Sequence, residues 1–169
     1  MSEESIEYSV RSSRLGKLLV AGTRRGVCFV DFGSHDDELR ERLAREFPFA
    51  ECRAARSPAL RSWADQIVRC VDGCDDSAGL PLDVRGSRFQ KRVWAALRRI
   101  PRGETLAYSD LAGKIGQPAA ARAVAQACAS NPVPVVTPCH RVVEKGGGLG
   151  GYARGVTRKR KLLEMEGAL

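Results

Sequence analysis

The 169 residues are 43% apolar and 28% charged, which fits one globular domain or two small ones and excludes wholesale disorder, collagen and coiled coil. The formal charge of +8 is uneven: residues 1–90 hold 14 Lys+Arg and 15 Asp+Glu, whereas residues 91–169 hold 14 and 5. The second half is therefore expected to meet a polyanion, either nucleic acid or an anionic membrane surface.

The opening MSEESIEYSV has no basic n-region and no apolar run, so no secretory signal is read and a cytoplasmic location is expected. Strand-like runs at 17–21 and 27–32 flank Gly22-Thr23-Arg24-Arg25-Gly26 and predict a hairpin. Ser34 can cap a helix over about 35–47, with Leu39, Leu43 and Phe47 at i,i+4 spacing, and His35, in the charged N-terminal turn, reads as a surface cap. A second helix is expected over about 58–72, where Leu60, Trp63, Ile67 and Val71 form a stripe. Residues 72–79 read as a loop and 80–84 as a short strand. Composition and charge shift near residue 85, which predicts a structural domain at 1–85 and a second domain at 86–169.

The second half reads as mainly helical. Ser87 caps a helix over about 88–100, with Phe89, Val93, Leu97 and Ile100 inward, and Pro101-Arg102-Gly103 ends it. A short helix over about 108–115, the turn Gly116-Gln117 and a helix over about 118–129 starting at Pro118 make a helix-turn-helix pattern. The last of these is Ala-rich and carries one charge, Arg122, so it suits either close approach to a groove or tight packing. Residues 123–140 are free of charge and long enough to span a membrane, but Pro132, Pro134, Pro138 and Asn131 make buried core plus a turn the better reading. The run Gly146-Gly147-Gly148-Leu149-Gly150-Gly151 matches GxGxxG only formally, lacks a surrounding βαβ unit, and reads as a flexible hairpin. A last helix over about 156–166 carries Arg158-Lys159-Arg160-Lys161, read as a solvated or phosphate-facing face.

Six cysteines in a chain without an export signal are expected to be free thiols, and Cys70 and Cys74 lack the second ligand pair of a zinc site. Cys139 stands apart because His140 and Arg141 follow it and Pro138 precedes it. A thiol becomes nucleophilic where a base or a positive field favours the thiolate. In a regular strand neighbouring side chains face opposite ways, so Cys139 and His140 need a turn or a bridging water to communicate.

Pro138-Cys139-His140-Arg141-Val142-Val143 resembles the active-site signature of the methylated-DNA–protein-cysteine methyltransferase (O6-alkylguanine-DNA alkyltransferase) family. Phe89-Gln90, Val93-Trp94, Ile100-Pro101, Gly103-Glu104-Thr105, Tyr108, Leu111-Ala112, Ile115-Gly116, Arg122-Ala123-Val124, Asn131 and Gly151-Tyr152 agree with that family at matching spacing. The likeness extends, less specifically, from about Ile6 onward and includes the C-terminal half of the bacterial adaptive-response protein; that protein's zinc-bearing regulatory domain has no counterpart in these residues. The resemblance implies an α+β architecture: a small RNase H-like α/β domain, then a mainly helical, winged-helix-like domain with a helix-turn-helix. It implies direct-reversal repair, with stoichiometric, irreversible transfer of an alkyl group from O6-methylguanine, and from O4-methylthymine, in duplex DNA to Cys139 after base flipping.

By the same resemblance His140 acts on the thiol through a water, Glu166 orients His140, and Asn131 holds the surrounding turn. Tyr108 assists the departing base. Arg122 fills the space left by the extruded nucleotide, and Ser109, Gln117 and Tyr108 join it as DNA contacts, with the Ala-rich helix in the minor groove. A monomer is implied, with no cofactor, metal, membrane or small-molecule methyl donor. Two departures stand out: Ala107 replaces a Ser common before the Tyr, removing a helix cap, and Arg154 is expected beside the pocket, where its bulk would restrict the range to small alkyl groups. The alternatives are a lesion-binding module of the same fold, against which the presence of Cys139 speaks, and a Cys/His hydrolase, for which no acyl-transfer signature is present.

Overall fold

The computed structural model describes residues 4–73, 77 and 79–169. It divides into two compact units, residues 1–85 and 86–169, each with its own core.

The first unit is a four-stranded sheet with a helix on either face. Strands β1 (Ser5–Ser13), β2 (Gly16–Gly22) and β3 (Val27–Gly33) form an antiparallel meander, and β4 (Glu51–Ala54) pairs parallel to β1, giving the order β3-β2-β1-β4. Leu19 and Ala21 cluster with Leu39 and Leu43 of α1 (Asp36–Glu46). On the other face a Cβ at Gly22 would press on Leu60 and Trp63 of α2 (Pro58–Val71), so this position requires glycine. Covering both faces explains why β3 is buried along its whole length and reads as an apolar run interrupted only by Asp31.

The predicted hairpin and the helix at 58–72 are present. Strands β1 and β4 escape the sequence pattern: β1 is polar and mostly half-buried, and β4 is four residues long. Helix α1 starts one residue later than expected. His35, not Ser34, occupies its cap position without a side-chain hydrogen bond, and Asp36, Asp37 and Glu38 complement the helix dipole instead. The strand expected at 80–84 is reduced to one bridge between Val27 and Leu82, and the loop expected at 72–79 lies partly outside the described residues.

The second unit contains α3 (Arg88–Leu97), β5 (Leu106–Ala107), α4 (Tyr108–Lys114), α5 (Ala121–Ala129), β6 (Val142–Val143) and α6 (Val156–Met165). Ser87 and Gln90 close a capping box on α3, and Trp94 Nε1 donates to Ala127 O at 2.8 Å, tying α3 to α5. Gly116, at φ 77°, makes the left-handed turn between α4 and α5. Helix α5 starts at Ala121, not at Pro118, because residues 118–120 form the preceding turn, in which Ala120 N bonds Gln117 O at 2.9 Å.

Strands β5 and β6 pair parallel; after Val142-Val143 the Gly-rich run reverses the chain in a tight turn in which Glu144 N donates to Gly148 O at 2.9 Å, with no described strand following to complete a hairpin. The basic run of α6 is not wholly a surface: Lys159 is 0% exposed, on one stripe with Leu162 and Leu163. Cys28, Cys52, Cys128 and Cys139 are free thiols, and Cys74 lies outside the described residues. No described helix is long and apolar enough to cross a membrane.

Candidate active site

The charge-free segment between α5 and β6 builds a buried turn that ends in one turn of 3₁₀ helix, Cys139–Arg141. Asn131 is its brace: Nδ2 donates to Thr137 O at 2.8 Å and to Cys139 Sγ at 3.3 Å, while Oδ1 accepts from Val133 N at 3.0 Å. Val135 has φ 74°, a conformation costly for a β-branched residue and held by its buried surroundings. Pro138 does not bring the sulfur to the surface, because Cys139 is only 4% exposed.

His140 is 1% exposed and its Nε2 lies 2.9 Å from Glu166 Oε1, at the C-terminal end of α6. Glu166 is gripped a second time by Arg141, whose Nε donates to Oε2 at 3.0 Å and whose Nη2 donates to Oε1 at 2.9 Å. Burial by itself would raise the Glu166 carboxyl, but the hydrogen bonds and charges of His140 and Arg141 bring it down to about 2. With Glu166 ionised, Nε2 of the ring must carry the hydrogen and donate it. Nδ1 is then the acceptor, and it is buried without a protein partner among the described residues. Burial holds His140 below its usual range against the pull of Glu166. Burial likewise pushes the Cys139 thiol up, while the Asn131 amide and the charges of Arg154 and Lys159 act the other way.

Cys139 opens on a cavity of about 190 Å³ lined by Tyr108, Ala125, Cys128, Ala129, Gly151, Tyr152 and Ala153. Tyr108 opens α4, and burial pushes its hydroxyl up to about 12. The small side chains of α5 form one wall; Arg122, exposed, shares the helix face of Ala125 and Ala129 at i, i+3 and i+7. A larger cavity of about 600 Å³ between α3, β5 and α4 contains no cysteine or histidine, so size does not mark the site.

The structure therefore brings together Cys139, His140, Glu166, Asn131 and Tyr108, with Arg122 on the adjoining helix face. Gln117 is exposed in the turn before α5. Ser109 is placed differently: its hydroxyl is buried inside the first turn of α4 without a hydrogen-bond partner among the described residues. Ala107 at the α4 cap position makes no side-chain cap, as its methyl dictates. Arg154 does not line the cavity, where Gly151, Tyr152 and Ala153 stand instead, so steric restriction by its bulk has no support in the lining.

Two residues escaped the sequence reading. Lys159 sends Nζ to Val142 O at 2.6 Å, Gly151 O at 3.1 Å and Tyr108 Oη at 3.4 Å, behind the cavity wall. The i, i+3, i+4 spacing with Leu162 and Leu163 marks it as inward, but the surrounding cations hid the signal. The buried fork of Arg141 had no local sequence signal.

The chain thus carries a sheet unit with a helix on either face and a helix-turn-helix unit with a buried thiol next in sequence to a hydrogen-bonded His140–Glu166 pair. Residues 6–84 match the model of the 6-O-methylguanine DNA methyltransferase ribonuclease-like domain, and residues 88–168 match that of its DNA-binding domain. The chain is 42% identical over 162 residues to the bifunctional transcriptional activator/DNA repair enzyme Ada of Escherichia coli, covering 96% of this chain but 46% of that protein. It thus spans about half the length of that relative. It is 53% identical over 164 residues to the methylated-DNA–protein-cysteine methyltransferase of Mycolicibacterium paratuberculosis, covering 95% of this chain and 92% of that one. The crystal structure of Mycobacterium tuberculosis OGT in complex with DNA superposes with a TM-score of 0.78 at 35% identity, over 96% of this chain and 92% of that chain. The chain belongs to the 6-O-methylguanine DNA methyltransferase family.

Proposed function

We propose that the chain repairs DNA by direct reversal, moving the alkyl group of an O6-alkylated guanine, or of an O4-alkylated thymine, from duplex DNA onto Cys139. The observation that carries this reading is the buried thiol lining a small cavity, hydrogen-bonded by Asn131 and next in sequence to His140, which Glu166 holds. At about 190 Å³ the cavity is below the usual ~300–1,000 Å³ of drug-sized pockets, a size suited to one flat base with a small substituent.

The base must leave the stack, because its O6 substituent is out of reach of a protein sulfur inside the duplex. The α5 surface lies in the minor groove, where small side chains permit close approach, and Arg122 occupies the gap left by the extruded nucleotide. His140 Nδ1 accepts the Cys139 proton through a bridging water. The thiolate attacks the alkyl carbon in line, the C–O bond breaks, and its electron pair passes to the guanine O6. The Tyr108 hydroxyl donates to the departing base, which leaves neutral. The product is a thioether, a poor leaving group, so each molecule turns over once. Nucleophile, proton acceptor and proton donor are all side chains of the site, and no cofactor or small-molecule methyl donor takes part. We place this activity in a cytoplasmic monomer.

Incubation with a duplex oligonucleotide containing one O6-methylguanine, followed by intact-mass measurement and peptide mapping, tests the reading. The expected result is the mass of one methyl group on the Cys139 peptide and none beyond it. Duplex binding without a mass change would favour lesion recognition alone, and turnover of an ester would favour a hydrolase.

A further inference from the structure

We propose that Arg141 is a positioning residue for the alkyl transfer: by gripping both carboxylate oxygens of Glu166, it leaves His140 a neutral ring whose Nδ1 is open to the Cys139 proton. This deepens the reading above and rests on it.

A buried carboxylate 2.9 Å from an imidazole tends to draw a second proton onto the ring and complete an ion pair. An imidazolium has no lone pair left and can accept nothing from a thiol. The Arg141 fork competes for the same negative charge. Nε and Nη2 each take one oxygen of Glu166, at 3.0 and 2.9 Å, in the side-on geometry that a guanidinium alone supplies. Its remaining nitrogen, Nη1, donates to Ile100 O at 2.7 Å, which anchors the fork to the turn after α3 and stops it swinging away. Glu166 Oε1 is thus shared between Arg141 and His140, and it fixes the tautomer without loading the ring with charge.

The charged groups acting on His140 are Lys159 of α6, Glu166 at the C-cap of α6 and Arg141 of its own turn, with Cys139 as its neighbour. Burial, Arg141 and Lys159 all oppose a positive ring, and only Glu166 favours one. Removing Arg141 therefore shifts the balance toward imidazolium, and the protein becomes inactive at a higher pH than before.

The test compares the full chain with Arg141→Lys and Arg141→Met. The rate of methyl uptake by Cys139 from an O6-methylguanine duplex is measured between pH 5 and 9, and His140 is titrated by nitrogen NMR in the unreacted proteins. The expected result for Arg141→Met is an acid limb moved up by about one pH unit, so that the loss of rate grows toward about tenfold at the acid end of the range and is least near pH 8.5. Arg141→Lys keeps the charge but not the fork and falls between. The NMR midpoint of His140 moves in step. A uniform loss of rate at every pH, with an unmoved His140 titration, would overturn the proposal and leave Arg141 a structural residue. Should Arg141→Met not fold, Arg141→Lys decides: a profile coinciding with that of the unaltered chain overturns the proposal. Failure of the unaltered chain to take up methyl at any pH would instead defeat the repair reading, while the NMR titration still judges Arg141.

Discussion

The two units of this chain treat buried polar groups in opposite ways. In the sheet unit the described interior is apolar except for Asp31, which Arg42 meets at 3.1 Å. In the helical unit Asn131, Thr137, His140, Arg141 and Lys159 are all buried within a smaller span of chain. An unsatisfied buried polar group costs about 1–3 kcal/mol, so a fold that gathers five of them needs a network to answer them. Here the network converges on the Cys139 turn and on Glu166. The charge follows the same division: the balanced half has no part in the proposed chemistry, and the basic half surrounds a reactive segment, residues 123–140, that carries no formal charge of its own. Under the proposed function, cations outside that segment grip phosphates of any sequence, while the buried turn presents the thiol to the alkyl carbon.

The sharpest way to break this contrast is Cys139→Ala. It should abolish methyl uptake entirely while leaving duplex binding and the fold in place, as measured by mass and by gel shift; any residual transfer would place the chemistry elsewhere. Next in size is salt. Raising it should slow repair of duplex DNA by on the order of tenfold or more, with little change in reaction with the free O6-alkylguanine base, because only the duplex reaction uses phosphate contacts. Equal sensitivity of the two reactions would detach the basic half from DNA.

Leu19→Ala, in the sheet unit, should cost about 2–5 kcal/mol in denaturant titration and leave the methylation rate per folded molecule unchanged. A large loss of rate would give the sheet unit a part in the chemistry.

The smallest effect is expected in acid. Glu166 is held at about 2 in the folded chain against an ordinary 4.5, so the stability it contributes is present above pH 4.5 and fades toward pH 2. His140 is held below 6.5 by burial, so the unfolded chain takes its proton first and stability begins to fall below pH 6.5. Both signs point to earlier acid unfolding of the helical unit. Trp63 and Trp94 lie one in each unit, so fluorescence of Trp63→Phe and Trp94→Phe follows each unit separately. The signal from Trp94 should fall at the higher pH, and Glu166→Gln should flatten that difference.

Much of this was open to reading along the chain. The hairpin, α2, α3 and the helix-turn-helix announced themselves by apolar spacing, the Ser87 cap and Gly116. The signature around Cys139 pointed to the thiol proposed as nucleophile and, through its family likeness, to Asn131, His140, Tyr108 and Glu166, which the structure brings together. Local pattern failed where the deciding contact was distant. Strand β1 is polar in sequence yet central in the sheet, because β2 and β4 flank it. Lys159 looks like one cation among four, yet three oxygen atoms from three separate segments draw it inside.

Residue type and short-range spacing therefore determined which groups could do chemistry and which stretches would be helix or hairpin, since both depend on neighbours within a few positions. Only the tertiary structure decided their working states. Glu166 meets His140 and Arg141 across 26 and 25 residues of chain, and that meeting makes one carboxylate an acid of about 2 and one imidazole an acceptor. A proton's position is set by the charge and burial around a group, and those come from residues that the sequence keeps far apart.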